Sequence, residues 1–223
     1  MSRPLRLAVF DVDGTLVDSQ HHINASMQLA YGAMGLEGPS LEQVRGIVGL
    51  SLPQAMRQLS PDLTDAQNDA LVVAYKATFK SNREGGELAP LYAGIASMLD
   101  GLAGDDHLLL GVATGNSRRG LDAVFDGHGL ASKFVTSQVA DNHPSKPHPS
   151  MLLQALSETG VEAANAVMIG DTTFDMEMGV AAGMHCIGVS WGYHTVDRLH
   201  EAGAARIVNE AAELTGLLDG FWG

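Results

Sequence analysis

Short, largely apolar runs punctuate the chain. Residues 5–10 (LRLAVF), 108–113 (LLLGVA), 134–136, 166–169 (AVMI), 185–189 (HCIGV) and 206–208 stand out between turn-forming stretches. Runs this short that do not alternate with polar residues predict strands buried on both faces, as in a parallel sheet. Over 95–102, 118–127, 149–160 and 174–182 the apolar spacing instead follows a helical period. Strands alternating with helices of this length predict an α/β fold, a Rossmann-like parallel sheet flanked by helices.

Residues 16–87 break the alternation. They contain no strand pattern, but three stretches begin with a hydroxyl followed three residues later by Gln: Ser40 to Gln43, Ser51 to Gln54 and Thr64 to Gln67. That is the capping-box signature of a helix start. Ala70, Val73, Ala74 and Ala77 give one apolar helical face, and 84–90 (EGGELAP) reads as a Gly/Pro-rich hinge. The expected organisation is a core of residues 1–15 and 88–223 interrupted by a helical insertion, 16–87.

Composition narrows the function. A hydrophobic fraction of 45% excludes a disordered chain. No apolar run approaches the roughly 18 residues of a membrane-spanning helix. The 13 basic and 26 acidic residues leave a formal charge of −13, which argues against nucleic acid or an anionic membrane as partner. The single cysteine, Cys186, excludes an internal disulfide and a cysteine-based zinc site. The first apolar run leads straight into an acidic turn and lacks the form of a secretory signal, so a cytoplasmic protein is expected.

Four motifs fall at the carboxyl ends of predicted strands, where open parallel sheets bind ligands. The first is Asp11-Val12-Asp13-Gly14-Thr15. Two carboxylates so close behind a buried strand need a compensating cation, and hard oxygen donors suit magnesium. A solvated acidic turn is the plain alternative. A calcium loop is disfavoured, because no helix precedes the motif and no closing Glu follows it. Thr114-Gly115-Asn116 offers a hydroxyl and backbone N–H groups at a strand-to-helix turn, either an anion site or ordinary turn chemistry. Ser145-Lys146-Pro147 sets a lone lysine at a helix entrance, where the helix dipole disfavours it unless it meets an anion. Gly170-Asp171-Thr172-Thr173-Phe174-Asp175 places two more acids at a strand end, with an N-cap role for Asp171 as the alternative.

In this order, the motifs DVDGT, ATGNS, SKP and GDTTFD resemble those of the haloacid-dehalogenase superfamily of phosphohydrolases, and detailed phrasing that includes Val189-Ser190-Trp191-Gly192-Tyr193 is similar to its phosphoglycolate-phosphatase-like branch. The pattern spans nearly the whole chain. The resemblance implies that the helical insertion is a cap domain and that a small phosphorylated metabolite, phosphoglycolate first among candidates, is hydrolysed with Mg2+. It implies Asp11 as nucleophile and Asp13 as general acid and base. Thr114, Gly115 and Asn116 would bind phosphoryl oxygens, the latter two through backbone N–H groups, and Lys146 would stabilise charge. Mg2+ would be held by Asp11, the Asp13 main-chain oxygen and Asp171, with Thr15 and Asp175 in support. Arg45 and either Arg118 or Arg119 are the expected contacts to an anionic substrate, and Trp191 and Tyr193 line the rim or cover the core. Asp13 favours phosphoryl transfer over dehalogenation, because a halide leaves without a proton. A sugar phosphomutase, a pyrophosphatase and a non-enzymatic phosphoacceptor module remain as alternatives, and either a monomer or a homodimer is compatible with the sequence.

Overall fold

A computed structural model describes residues 3–85 and 88–222; the side chains of 80–85, 219 and 221 fall outside the description. In chain order its elements are β1 (Arg6–Phe10), α1 (Gln20–Ala33), α2 (Leu41–Arg45), α3 (Leu52–Leu59), α4 (Asp65–Gly85), α5 (Ile95–Leu102), β2 (Leu108–Thr114), α6 (Arg118–His128), β3 (Thr136–Val139), α7 (Ser150–Thr159), β4 (Ala166–Gly170), α8 (Thr173–Ala181), β5 (His185–Val189), α9 (Val196–Glu201), β6 (Arg206–Val208) and α10 (Ala211–Phe221). The six strands form one sheet in the order β3-β2-β1-β4-β5-β6, and every pairing is parallel. The chain is thus the expected Rossmann-like α/β sheet.

The buried strands feed two layers. Ala8 and Phe10 of β1 pack with Leu99, Leu121, Phe125 and Leu214 on one face, while Leu7 and Val9 pack with Met151, Leu152, Ala155 and Met178 on the other. This two-residue alternation between two apolar layers is why residues 7–10 carry no polar position. The third apolar run differs from its expected place, since β3 starts only at Thr136. Phe134 is drawn out of the ladder to stack on Phe125, 5.1 Å between ring centroids, with its edge toward Phe10. Two C-terminal helices, α9 and α10, were not marked by the apolar periodicity.

Helices α1–α4 follow β1 and hold a core of their own, with Met27, Tyr31, Val44, Met56 and Leu71 buried together. The boxes at Ser40–Gln43 and Thr64–Gln67 form as expected. Ser51 does not cap α3 with its side chain; its N–H instead donates to Ser145 Oγ at 2.8 Å. The expected face of α4 is corrected. Val73 is 68% exposed, whereas Asn68, Leu71, Val72, Tyr75 and Phe79 turn inward. Both sets have helical spacing, but the larger side chains remove far more apolar area from water than alanines do.

The segments that leave and re-enter the sheet run side by side. The Asp18 N–H donates to Pro90 O at 2.9 Å, the Tyr92 N–H donates to Leu16 O at 3.0 Å, and Val17 and Leu91 form an antiparallel bridge. Gly86 and Glu87 of the expected hinge lie outside the described residues. Among the described residues no helix is long and apolar enough to cross a membrane.

The corrected face gives a direct test. Leu71→Ala, at a fully buried position, is expected to lower unfolding free energy by about 2–5 kcal/mol, and Val73→Ala by no more than about 0.5 kcal/mol. Urea denaturation of the two variants measures the difference; equal losses would return the buried face to the alanines.

Candidate active site

β1 and β4 are neighbours, yet the chain leaves them toward opposite halves of the sheet. A crevice opens at such a switch point, outside the carboxyl ends of the strands. Asp11 follows β1, Asp171 follows β4, and Thr114 is the last residue of β2. Lys146 enters from the loop before α7, and its ammonium is fully buried. It lies 2.7 Å from Asp11 Oδ1 and 2.6 Å from Asp175 Oδ1. The other oxygen of Asp175 accepts from the Thr172 N–H at 3.1 Å and from Thr172 Oγ1 at 2.7 Å. Thr172, not Asp171, is the N-cap residue of α8.

Asp171 is also held on both oxygens. Oδ1 accepts from Thr15 Oγ1 at 2.8 Å, and Oδ2 accepts from the Tyr193 N–H at 2.9 Å. Gly14, at φ +92°, permits this packing, since a Cβ there would strike the Asp171 carboxylate as well as force a side chain into left-handed backbone. Asp11 is held on one side only: its Oδ2 is buried and has no hydrogen-bond partner.

Carboxylate oxygens of Asp11, Asp171 and Asp175 lie within 4.8 Å of one another. Burial pushes the Asp11 carboxyl up to about 7, with Lys146 opposing the rise and Asp175 and Asp13 adding to it. Burial, then Asp175 and Asp11, pushes Asp171 well above the usual carboxylate range. Burial also raises Asp13, while Ser19, Lys146 and Asn116 restrain it. Burial alone would lower the Lys146 ammonium, but Asp11 and Asp175 reverse that and hold it above its ordinary value. One ammonium therefore faces an excess of buried negative charge. An all-oxygen donor set with an unpartnered Asp11 Oδ2 fits a hard divalent cation.

Two connected spaces open from these residues. An inner chamber of about 80 Å³ is lined by Asp11, Thr114, Gly115 and Asn116, and roofed by Gly49, Leu50 and Tyr75 of the helical insertion. Beyond it lies a cavity of about 610 Å³ whose walls include Tyr75 and Phe79 of α4 and Ser117 and Arg119 at the start of α6. Asp13 lines both spaces. Its Oδ2 accepts from Asn116 Nδ2 at 2.6 Å.

Comparison with known proteins bears on this geometry. Residues 8–189 match the family model described as haloacid dehalogenase-like hydrolase. The chain belongs to this family. It is 36% identical over 213 residues to the probable phosphatase IndB of Dickeya dadantii (strain 3937), an alignment covering 94% of this chain and 92% of that protein. It is 27% identical to a phosphoglycolate phosphatase of Pseudomonas fluorescens (strain Pf0-1), covering 96% and 80%. In fold it is similar to a haloacid dehalogenase-like hydrolase from Streptococcus pneumoniae, with TM-score 0.83 and 22% identity over 95% of this chain and 97% of that one. A hydrolase from Pseudomonas syringae gives TM-score 0.85 at 22% identity, covering 99% and 100%. The chain is accordingly an enzyme, a phosphatase of the haloacid dehalogenase-like family.

Within this hydrolase some expected contacts are placed differently. The Asn116 N–H donates to Thr114 Oγ1 at 3.1 Å, so the part Asn116 plays here is its side-chain bond to Asp13. Arg118 does not line either space: its guanidinium reaches Ser137 Oγ at 2.9 Å and lies 3.7 Å from Asp122. The next residue, Arg119, takes the place in the wall. Arg45 is bonded through Nε to Gln20 at 3.1 Å and also lies outside both linings. Trp191 donates from Nε1 to Thr15 O at 3.0 Å and packs on the core, so it braces the acidic turn.

Sequence reasoning missed Ser19, whose hydroxyl is 3.2 Å from that of Tyr193, and the wall residues Ile23, Pro53, Tyr75, Lys76 and Phe79. The signal for Tyr75 and Phe79 was present in the true inward face of α4. Ile23 and Pro53 carry no local mark.

Lys146→Met would leave Asp11 and Asp175 buried without their cation, at a cost of about 3–5 kcal/mol. The loss should be larger at pH 7.5 than at pH 5, because Asp11, raised to about 7, takes up a proton at the lower pH. Chemical denaturation at both values measures it, and a loss independent of pH would contradict the charge argument.

Proposed function

We propose that residues 16–87 form a cap over a catalytic core of residues 1–15 and 88–223, and that this phosphatase hydrolyses the phosphomonoester of a small metabolite through an aspartyl-phosphate on Asp11. The observation that carries the reading is the place of Asp13, at the junction between the Asp11 chamber and the outer cavity. A phosphoryl group beside Asp11 would put its leaving oxygen at that junction, within reach of the acid.

In the first step the Asp11 carboxylate attacks phosphorus, and the bond from phosphorus to the leaving oxygen breaks. Asp13 gives its proton to that oxygen; the raised proton affinity that burial confers suits it to hold one. In the second step water attacks the phosphoryl group on Asp11, Asp13 takes the proton from that water, and phosphate departs. Thr114 and the Gly115 N–H would bind phosphoryl oxygens. Lys146, fixed by Asp175, would stabilise charge on the nucleophile and the transferring group. Asp11, the Asp13 main-chain oxygen and Asp171 would hold Mg2+, which when bound offsets the repulsion between a carboxylate and a phosphate dianion. Asn116 keeps the Asp13 carboxyl aimed at the junction. We place the enzyme in the cytoplasm, as a monomer or homodimer.

The test is release of inorganic phosphate from a panel of esters that includes phosphoglycolate, the namesake substrate of the Pseudomonas relative, with and without Mg2+. Asp11→Asn should lower release by about 10⁴-fold or more. Turnover that persists in the purified variant would remove Asp11 as nucleophile. A sugar phosphomutase would isomerise its substrate with no net release, and a pyrophosphatase would prefer pyrophosphate to every ester.

Asp13→Ala should slow hydrolysis of alkyl phosphates by about 10²–10⁴-fold, and that of p-nitrophenyl phosphate, whose leaving group needs no proton, far less. Equal losses on both substrates would contradict the acid role.

A further inference from the structure

We infer that the outer cavity receives a leaving group bearing a planar ring with a polar edge, so that the substrate is the phosphomonoester of a ring-bearing alcohol. The inference rests on the phosphatase reading above, and three features of the cavity carry it.

The first is the division of space. The inner chamber of about 80 Å³ equals two to three waters at about 30 Å³ each, which suits a phosphoryl group and little more. The outer cavity, at about 610 Å³, is within the range that encloses a drug-sized ligand. Asp13 is among the residues that line both spaces, and Asp11 lines only the smaller one, so with Asp11 as nucleophile and Asp13 as acid the large volume falls on the leaving-group side. A two-carbon carboxylic acid such as the glycolate of phosphoglycolate would leave most of that volume, and its apolar wall, in contact with water.

The second is the shape of the wall. Tyr75 and Phe79 stand one turn apart on α4 with ring centroids 5.6 Å apart and planes 19° from parallel. With Ile23 and Pro53 they form an apolar surface on the cap side of the cavity. A flat ring laid against such a pair gains stacking beyond simple area burial, about 0.5–1.5 kcal/mol for each aromatic contact.

The third is polarity. Lys76 and Arg119 also line the cavity. They would meet acceptor atoms on the ring or its substituents, and Arg119 suits the face of a conjugated ring as well. A wall with both stacking rings and, at its solvent-exposed margin, two cations fits a heterocycle or substituted aryl group better than a plain alkyl chain, which would use neither.

Ribose 5-phosphate, whose furanose ring is saturated and puckered, and a nucleoside 5′-monophosphate, which carries a planar base in place of the anomeric hydroxyl, make a matched pair, with pyridoxal 5′-phosphate and phosphoglycolate beside them. The expected result is that at least one ester bearing a planar aromatic ring exceeds both ribose 5-phosphate and phosphoglycolate in kcat/KM by about 10-fold or more. Phe79→Leu should then lower the ratio of kcat/KM for aromatic esters to that for non-aromatic ones by about 3- to 10-fold. Phe79→Tyr, which keeps the ring, should restore that ratio, and thermal melting verifies that the leucine variant is folded. Phosphoglycolate as the best substrate, or an equal loss on aromatic and non-aromatic esters in Phe79→Leu, would overturn the inference. Calorimetric binding of the same compounds to the Asp11→Asn protein separates the two readings. Tight binding of ring-bearing phosphates that depends on Phe79, with no ester hydrolysed by the wild type, would support the cavity assignment and defeat the phosphatase mechanism. Hydrolysis with binding blind to the ring would do the reverse.

Discussion

One buried ammonium faces three buried carboxylates, and much of the structure serves that imbalance. Lys146 bonds Asp11 and Asp175 but does not touch Asp171 with a hydrogen bond. Asp171 is instead satisfied by neutral donors, the Thr15 hydroxyl and the Tyr193 N–H. Asp175 has both oxygens occupied, through Lys146 and Thr172. Only Asp11 keeps a buried oxygen with no partner. An unpaired buried acceptor is costly, so its persistence at a strand end marks where the fold favours reactivity over local stability. The same arrangement separates the surroundings of four acids: Asp171 and Asp175 have both oxygens bonded, Asp13 lines both spaces, and Asp11 keeps one oxygen without a partner.

Water exclusion strengthens all of these charges, and it depends on how closely the helical insertion meets the sheet edge. A Cβ on Gly115 would lie 2.6 Å from the carbonyl oxygens of both Gly49 and Leu50. Any other residue at 115 would therefore push the insertion away from the chamber it roofs. The Ser51 N–H to Ser145 Oγ bond fastens the same corner, next to the loop that carries Lys146. Backbone and small residues make the tightest contact across the two units at the chamber, although Leu50 and Tyr75 also reach its lining. Close approach falls where the charged groups lie, and the larger space opens beside them.

These two regions were not equally legible in the amino-acid sequence. The sheet and the acid positions could be read because each motif is local: an apolar run, then a turn with its own chemistry within six residues. Asp11, Asp13, Thr114, Lys146 and Asp171 converge simply because parallel strands all end on one edge. Contacts that depend on where a side chain turns were less readable. Arg118 and Arg119 are adjacent and chemically alike, yet the helix aims one at Ser137 and the other into the cavity. On α4 the alanines and the larger residues both keep a helical period, and only packing against α1 and α3 decides between them. The Tyr193 N–H on Asp171 is a backbone contact between residues 22 apart, which no side-chain pattern encodes.

The charge imbalance also sets a conflict between titrating groups. Asp11, with its folded value raised to about 7 from 3.8, binds more proton in the folded chain than in the unfolded one across that interval. Stability from this group is therefore full below pH 3.8 and is lost as pH rises toward 7. Asp13 and Asp171 are raised and act with the same sign. His194 acts the other way. Burial lowers it from 6.5 to about 4, and its Nδ1 accepts from the Thr173 N–H, so it is held neutral. It loses stability as pH falls from 6.5 toward 4. His143 and Glu158, both lowered, act with His194. At the acid cluster itself the three raised carboxylates set the sign, so with protons as the only compensating cations that corner weakens toward neutral pH. A divalent cation binds the ionised carboxylates and so acts where protons have left. The ionised Asp11 carboxylate that the proposed mechanism uses near neutral pH is thus the same charge that a bound cation would offset.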